Sequence, residues 1–360
     1  MEQVSTKTNT NKKISNSTKQ NNALKQRKVL RLSTLIVMLF ILCALFIASA
    51  SLGQFHINTS EVYKFLFNIG DPSSQEYQVF WFIRMPRIVM VMLVGASLGV
   101  GGAIMQAIFA NPLAEPGIIG VSSGCAVGAS IAIVMNWTFL SLLTVPISAF
   151  VTGIIVTFAI YQMSKSGGKA RVITLILTGI AVNALCGAMI AFFTYAAPTT
   201  ARNQIVFWQM GSLNGANWQH IIVVTPIVIF GLIVSFYIAP KLDLLALGED
   251  TAKYLGLNVP RLRFTAICMT ALLTAGAVSF AGIITFVGLI VPHLLRLIIG
   301  PMNSWLIPLS AVGGIILVGS ADLIARTAMS YADLPIGIFT AIIGSVVFFI
   351  VMKQNMLKVG

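Results

Sequence analysis

The chain has 360 residues, of which 57% are hydrophobic and only 9% are charged, and its formal net charge at pH 7 is +13. A soluble protein carries about 25% charged residues, so this composition excludes a soluble globular domain and predicts a polytopic membrane protein. The positive charge does not indicate nucleic-acid binding, because the basic residues form no groove interleaved with aromatic residues.

The N-terminal segment differs in composition from the rest of the chain. It is rich in Asn, Lys, Ser and Thr and has almost no large apolar residue before Leu24. Such a segment cannot bury enough apolar surface to offset the entropy lost on ordering. Residues 1–31 are therefore predicted to form a disordered tail, and residues 32–360 a single transmembrane domain.

Ten apolar runs of membrane-spanning length follow in chain order. They cover residues 33–53, 88–109, 118–135, 143–161, 172–196, 221–239, 264–281, 282–299, 305–325 and 336–352. The sequence thus predicts an all-α polytopic membrane protein with ten transmembrane helices. Because the number of spans is even, both termini are expected on the same side of the membrane.

The distribution of basic residues predicts which side that is. Of the 23 Lys and Arg residues, eighteen fall on the side of the termini. Five fall on the opposite side, namely Lys64, Arg84, Arg87, Arg202 and Arg326. Cytoplasmic loops are enriched in Lys and Arg, so both termini are predicted to be cytoplasmic. The positive charge also suits the anionic inner leaflet of the membrane, so membrane lipid is an expected partner. Nucleic acid is not an expected partner.

A polar island interrupts the apolar sequence between the sixth and seventh spans. Residues 244–257 read LLALGEDTAKYLGL, within a loop at about 241–263. Gly248 and Gly256 stand where short helices would end in a left-handed cap, and Glu249 and Asp250 fall in a first turn, as the helix dipole prefers. The charge bias places this island in the cytoplasm, where a soluble partner could push on it.

Ionisable side chains are scarce within the predicted spans. Asp322 is the one acid well inside a span, and it is expected to pair with Arg326 on the same helical face. His293 lies near a cytoplasmic end and is interpreted as capping or bracing a helix end. A carrier coupled to an ion gradient needs ionisable groups in the membrane, so energy for uphill transport is expected to come from outside this chain. The four cysteines have no metal-site or disulfide spacing, and no metal site is predicted.

Small residues recur at a spacing that allows helices to approach closely. Gly95 and Gly99 form one G-xxx-G step, and Gly120 and Gly124 form another. Two interpretations stay open for these glycines, ordinary helix packing and the lining of a path. Between them lies Asn111-Pro112-Leu113-Ala114-Glu115-Pro116-Gly117, whose prolines break any helix and whose polar side chains can bond the freed backbone groups.

An ordered series of motifs runs through the chain from about residue 35. It comprises Arg84-Met85-Pro86-Arg87, Gly95-Ala96 with Gln106, NPLAEPGIIGVSSG at 111–124, LILTGIA at 175–181, WQMGS at 208–212, LGEDTAKYLG at 247–256, AGIITFVGLIVPHLLR at 281–296, Ala321-Asp322 with Arg326, and Leu334-Pro335-Ile336-Gly337. This series closely resembles the signature of the FecCD family, the permease subunits of ABC importers for iron-siderophores, haem and cobalamin. One departure is Gly344-Ser345-Val346, where the family usually has a proline followed by an aromatic residue.

The resemblance implies an assembly around this chain. The expected fold is that of a type II ABC importer permease, with ten helices per subunit and residues 32–360 as the permease domain. Two permease subunits, either a homodimer or this chain with a close paralogue, would enclose one path in a bacterial cell membrane. The expected partners are two cytoplasmic ABC ATPases and an extracytoplasmic substrate-binding protein or lipoprotein. The chain itself would be no enzyme and bind no cofactor, since ATP and Mg would bind the ATPases and the sequence has no phosphate-binding loop.

The resemblance also assigns roles to residues of this sequence. ATPase coupling falls on Leu247, Gly248, Glu249, Asp250, Ala252, Tyr254, Leu255 and Gly256. Docking of the binding protein falls on Arg84, Arg87 and Arg326, whose guanidinium groups are expected to point outward and face carboxylates. The alternative for Arg84 and Arg87 is contact with lipid phosphates. The path or its packing falls on Gly95, Gly99, Gln106, Asn111, Pro112, Gly120 and Gly124.

The substrate is less sharply defined than the family. The stretch 205–218 resembles the haem branch more than the siderophore branch, so haem is favoured over siderophore, with cobalamin as the alternative. A carrier that acts alone on an ion gradient is the alternative from another class. A membrane receptor or intramembrane enzyme is disfavoured, because no nucleophile–base pair or metal cluster is found.

Overall fold

The structure is a computed structural model that describes residues 2–137, 141–166, 169–170, 172–329 and 332–356. The regular secondary structure of these ranges is helical apart from one antiparallel pair, β1 (Lys165–Ser166) and β2 (Lys169–Ala170). The helices are α1 (Glu2–Ser51), α2 (Thr59–Leu66), α3 (Gln75–Val79), α4 (Met85–Phe109), α5 (Val121–Val134), α6 (Thr144–Met163), α7 (Val172–Ala196), α8 (Thr199–Met210), α9 (Trp218–Leu245), α10 (Glu249–Tyr254), α11 (Val259–Ala281), α12 (Val287–Ile299), α13 (Asn303–Thr327) and α14 (Ile336–Met356). A π-helical turn, Phe80–Arg84, joins α3 to α4, and a 3₁₀ turn, Pro116–Ile119, precedes α5.

Seven helical segments in the described ranges are long and apolar enough to cross a membrane. They are Lys25–Ser51, Gln75–Phe109, Thr144–Met163, Val172–Ala196, Trp218–Leu245, Val259–Ala281 and Asn303–Thr327. Three shorter apolar helices occupy Val121–Val134, Val287–Ile299 and Ile336–Ile350. The all-α membrane fold is thus confirmed, and each of these segments falls on a predicted run. That all ten cross the membrane stays a prediction.

The predicted third and eighth spans begin later than the sequence indicates. Helix α5 starts only after Gly120, whose φ of 75° is left-handed. Helix α12 starts at Val287 and not at 282, because Gly282 (φ 70°) and Phe286 (φ 68°) turn the chain before it. A Cβ atom at Gly282 would overlap the carbonyl oxygen of Trp208, so the turn also depends on glycine for space.

The N-terminal helix includes the segment expected to be disordered. Helix α1 begins at Glu2 and continues without a break to Ser51. Residue 1 and the side chains of residues 2–24 lie outside the described set. The prediction of a disordered tail over residues 1–31 therefore stays a prediction, while the described spanning segment of α1 begins at Lys25.

Helix α4 is the centre of the molecule and packs against α9, α11, α12 and α13. Its glycines allow the contact with α13: a Cβ atom at Gly95 would lie 2.6 Å from the carbonyl oxygen of Gly314, and one at Gly99 would overlap that of Ser310. The two backbones therefore meet without side chains between them. Gly344, where the sequence departs from the family pattern, is also a position of close packing. The ring of Phe286 lies where a Cβ atom at Gly344 would be.

The helices define two ends of the molecule. At the first, called here the α10 end, Arg31 donates to the Ile299 carbonyl and Asp243 accepts from the backbone of Asn303 at the start of α13. At the second, called the arginine end, the last residues of α1 contact Arg84 and Arg326. Arg171 and Lys358, which contribute to the charge bias, lie outside the described residues.

Candidate functional site

The polar island forms a short helix held between two long ones. Helix α10 contacts α9 on one side and α11 on the other, and Ala252 is fully buried in the core there. Gly256 (φ 83°) follows α10, as the sequence predicts, whereas Gly248 (φ 106°) is the N-cap of α10 and not the predicted left-handed end of a helix. A Cβ atom at either glycine would meet nothing within 4 Å, so these positions require glycine for backbone conformation and not for space.

Large apolar side chains are exposed on α10 and on the residues next to it. Tyr254 is 92% exposed, Leu247 62% and Leu255 58%. Exposed aromatic and aliphatic groups at the end of a membrane protein, away from the apolar spans, are typical of a surface that another protein covers.

The charged residues of α10 differ in how firmly they are held. Glu249 forms an ion pair with Arg263 of α11 and lies 3.9 Å from Lys253. Asp250 accepts from Lys253 at 2.9 Å, and this hydrogen bond raises the pKa of the lysine above its ordinary value. Glu249 thus ties α10 to α11, whereas Asp250 pairs only within α10 and its side chain is 87% exposed.

A pocket of 560 Å³ lies at the arginine end. Its lining includes Arg84, Arg87, Arg326, Asn214 and Asp333. The sequence predicts three outward arginines there; all three line this pocket, but the expected outward exposure is wrong for two of them. Arg84 and Arg326 are only 4% and 7% exposed.

The internal acceptors of the arginines explain their burial. Arg84 donates to the carbonyls of Ala50 and Phe55, and Arg326 donates to those of Leu52 (2.9 Å) and Ser49 (2.6 Å). These carbonyls lie at and just beyond the C-terminal end of α1, where a helix leaves its last carbonyls without partners. Both arginines therefore fasten the end of α1 to the bundle.

Arg87 joins two acids in the same pocket. Its Nε donates to Asp322 at 2.9 Å and its Nη1 to Asp333 at 2.6 Å. Asp322 also lies 3.6 Å from Arg326, which confirms the predicted pairing on one face of α13. The sequence analysis missed Asp333, because its place beside Arg87 depends on a loop that no periodicity describes.

The remaining sequence-predicted residues lie in contacts between helices. Gln106 donates from α4 to the carbonyl of Leu289 in α12 at 3.0 Å. A Cβ atom at Gly124 would lie 2.8 Å from that of Val156 in α6, and the position of Gly120 is crowded by Ile160. These contacts place Gln106, Gly120 and Gly124 in packing positions.

The proline-containing loop before α5 is held from α7. Asn111 accepts from the backbone of Leu113 at 2.9 Å, across Pro112, and Asn183 of α7 donates to the Gly117 carbonyl at 3.0 Å. Burial raises the pKa of Glu115 in this loop above its ordinary value. The sequence analysis did not single out Asn183, although a polar amide within an apolar run is a signal that could have identified it.

His293 does not have the bracing hydrogen bonds expected of it. It lies inside α12 and is buried, and neither ring nitrogen has a hydrogen-bond partner in the described part of the chain. The interpretation of His293 as a cap or brace is therefore wrong. No group of three or more His, Cys, Asp or Glu residues able to hold a metal occurs among the described residues.

Comparison with known families identifies the architecture. The model of the FecCD transport family matches residues 39–354, nearly the whole spanning part of the chain. The chain belongs to the FecCD transport family. This FecCD permease is accordingly a subunit of an ABC importer of the metal-chelate, haem and vitamin B12 type.

Individual relatives agree with the family. The hemin transport system permease protein HmuU of Yersinia pestis is 35% identical over 318 residues, which cover 87% of this chain and 93% of the relative. The vitamin B12 import system permease protein BtuC of Vibrio cholerae is 39% identical over 292 residues, covering 79% and 85%. A solved metal-chelate type ABC transporter in an inward-facing conformation superposes with a TM-score of 0.79 at 30% identity, covering 89% of this chain and 98% of its own.

Proposed function

We propose that this FecCD permease carries an iron chelate, haem in preference to a siderophore, inward across a bacterial cell membrane at the expense of ATP. The observation that carries the choice of haem is the match to the hemin permease, which extends over 93% of that relative. Cobalamin is the second candidate, because the vitamin B12 permeases reach 39% identity over somewhat shorter stretches.

The proposed partners follow from the two ends of the molecule. Two cytoplasmic ABC ATPases would each cover the α10 surface of one permease subunit, with Leu247, Tyr254 and Leu255 as the apolar contacts and Asp250 as a polar one. The exposure of these side chains supports this assignment. ATP and Mg would bind these ATPases, and this chain would hold no cofactor.

The binding protein is proposed to dock at the arginine end. The pocket of 560 Å³ there is lined by three arginines and one acid, Asp333, so its lining is net positive, which suits carboxylates on an approaching partner. Arg84 and Arg326 already donate to the carbonyls at the end of α1, so docking would also affect the attachment of α1. The contact between partner and permease would in this way reach α1, α4 and α13 together.

Competition for uptake tests the choice of substrate. The purified complex, with its ATPases and the binding protein encoded beside its gene, is reconstituted in liposomes and supplied with ATP and labelled hemin. We expect saturable uptake that tenfold excess of cobalamin or of a ferric hydroxamate leaves nearly unchanged, with ADP-loaded liposomes as the control. Full competition by cobalamin would instead assign the cobalamin class.

A further inference from the structure

A second, apolar cleft opens on the side of the bundle, far from the arginine pocket. It has a volume of 260 Å³ and lies where α6 and α9 each pack on α11. Its lining includes Phe158 and Tyr161 from α6, Phe230 from α9, and Phe264 and Cys268 from α11. Phe158, Phe230 and Phe264 are exposed, so the cleft presents aromatic walls to the surroundings of the protein.

Basic side chains from α9, from α11 and from the segment just after α6 lie at one end of this cleft. The rings of Tyr161 and Phe264 lie 5.2 Å apart and close that end, which is the α10 end. Lys165 of β1, just past the end of α6, has its Nζ 4.7 Å from the Tyr161 ring centroid. Arg261 lies three residues before Phe264 and thus on the same face of α11.

The third basic residue is on α9. Lys241 has its Nζ 4.3 Å from the ring centroid of Tyr237, and it lies eleven residues after Phe230, or about three turns along the same face. Helices α9 and α11 therefore each place a basic side chain on the face that lines the cleft, and Lys165 adds a third just beyond the end of α6. Lys165, Lys241 and Arg261 are called here the basic rim.

Three of the acids at this end are already engaged elsewhere. Glu249 is paired with Arg263 and Asp250 with Lys253. Asp243 accepts from backbone amides at the start of α13. Within the described residues, no ion pair reaches Lys165, Lys241 or Arg261, so the basic rim has positive charge without an internal counterion.

We propose that the cleft binds one anionic phospholipid, with an acyl chain between α6 and α9 and the headgroup phosphate on the basic rim. An apolar groove between spanning helices that ends in basic side chains has the chemistry of such a lipid, because the chain needs no hydrogen bond and the phosphate needs cations. A free phosphate would leave the aromatic walls uncovered, and a neutral lipid would leave the rim without a counterion.

Lipid retention tests the proposal on the complete permease–ATPase complex. The complex is exchanged into liposomes of equal dioleoyl phosphatidylglycerol and dioleoyl phosphatidylcholine, extracted mildly, and its bound lipids are counted by native mass spectrometry. We expect phosphatidylglycerol to be enriched in the unaltered complex. Each of Lys165→Gln, Lys241→Gln and Arg261→Gln is expected to reduce that enrichment roughly fivefold, the factor for about 1 kcal/mol per basic residue.

Matched variants separate the site from general lipid contact. Cys268→Phe fills the cleft and should abolish the retained phosphatidylglycerol, whereas Ile155→Phe, on an exposed position of α6 outside the cleft, should not. Lys28→Gln removes an exposed charge of α1 and should leave the enrichment unchanged. Equal retention of both lipids by the unaltered complex would overturn the proposal, as would Cys268→Phe retaining lipid normally. A bound polypeptide in place of lipid would overturn it as well.

Discussion

At the scale of single residues, the buried charges near the arginine pocket are the most constrained feature of the chain. The side chain of Asp322 is 1% exposed and is shared by Arg87 and Arg326, whose side chains are 11% and 8% exposed. Removing one partner of a buried ion pair leaves an uncompensated charge, which costs far more than loss of an exposed pair. The cluster is therefore expected to dominate the stability of this end.

We expect Asp322→Asn to lower the free energy of unfolding by about 3–5 kcal/mol, because two buried guanidinium groups would lose their shared anion. Thermal unfolding of the purified permease measures the loss. Glu61→Gln is the matched control, since the Glu61–Lys64 pair is exposed and its removal should cost less than about 1 kcal/mol. Equal effects of the two substitutions would contradict the structural role assigned to Asp322.

Gly256 provides a second test at a single residue. Its left-handed φ costs a β-branched side chain about 1–2 kcal/mol, although there is open space for a Cβ atom. Gly256→Val should therefore distort the end of α10 and reduce transport per ATP hydrolysed, measured in proteoliposomes. Gly215→Val imposes comparable strain at another open position with positive φ, away from α10, and should leave the ATPases attached and coupled. Normal coupling in Gly256→Val would count against the placement of the ATPase contact on α10.

At the scale of helices, the lengths of the apolar runs predicted most of the fold. They did not predict the turns and the short helices. Each long segment coincides with a predicted run because lipid demands continuous apolar sequence. Helices α2 and α8 were missed, since both are short and mixed in polarity. The turn at 282–286 was missed because its residues are as apolar as a span, and the positive φ of Gly282 and Phe286 is not visible in that pattern.

The candidate site could be predicted from the sequence only in part. Gly248 and Gly256 mark the two ends of α10 in the sequence, because a positive φ depends on the single residue that adopts it. The burial of Arg84 was not predictable, since its acceptors Ala50 and Phe55 come from a separate segment of the chain. Tertiary contacts of this kind leave no periodic signal in a sequence.

The contact between α4 and α13 provides a prediction at this scale. Gly99→Leu should separate the two helices, because no side chain fits between Gly99 and the Ser310 carbonyl. We expect lower thermal stability, by about 2 kcal/mol or more, and lost uptake while the ATPases still bind. Gly187→Leu in α7 is the control, since a Cβ atom there would meet nothing within 4 Å. If both variants were equally stable, backbone contact between α4 and α13 would not be what organises the bundle.

At the scale of the whole molecule, the chain is one part of a larger transporter. It offers an exposed apolar surface at the α10 end and a cationic pocket at the arginine end, which suit different partners. The scarcity of acids within the spans leaves no visible relay for a coupling ion. A pair of permease subunits enclosing one path, driven by ATPases, is the assembly that we propose.

The central claim is that transport depends on ATP hydrolysed by partner subunits, and uptake of labelled hemin into proteoliposomes measures this directly. Liposomes containing the complete complex, with two permease subunits, two ATPases and the binding protein, should accumulate hemin only when ATP and Mg are present on the ATPase side. Liposomes containing the permease alone should accumulate none under a proton or sodium gradient. Gradient-driven accumulation by the permease alone, or full activity in complexes with a single permease subunit, would contradict the account.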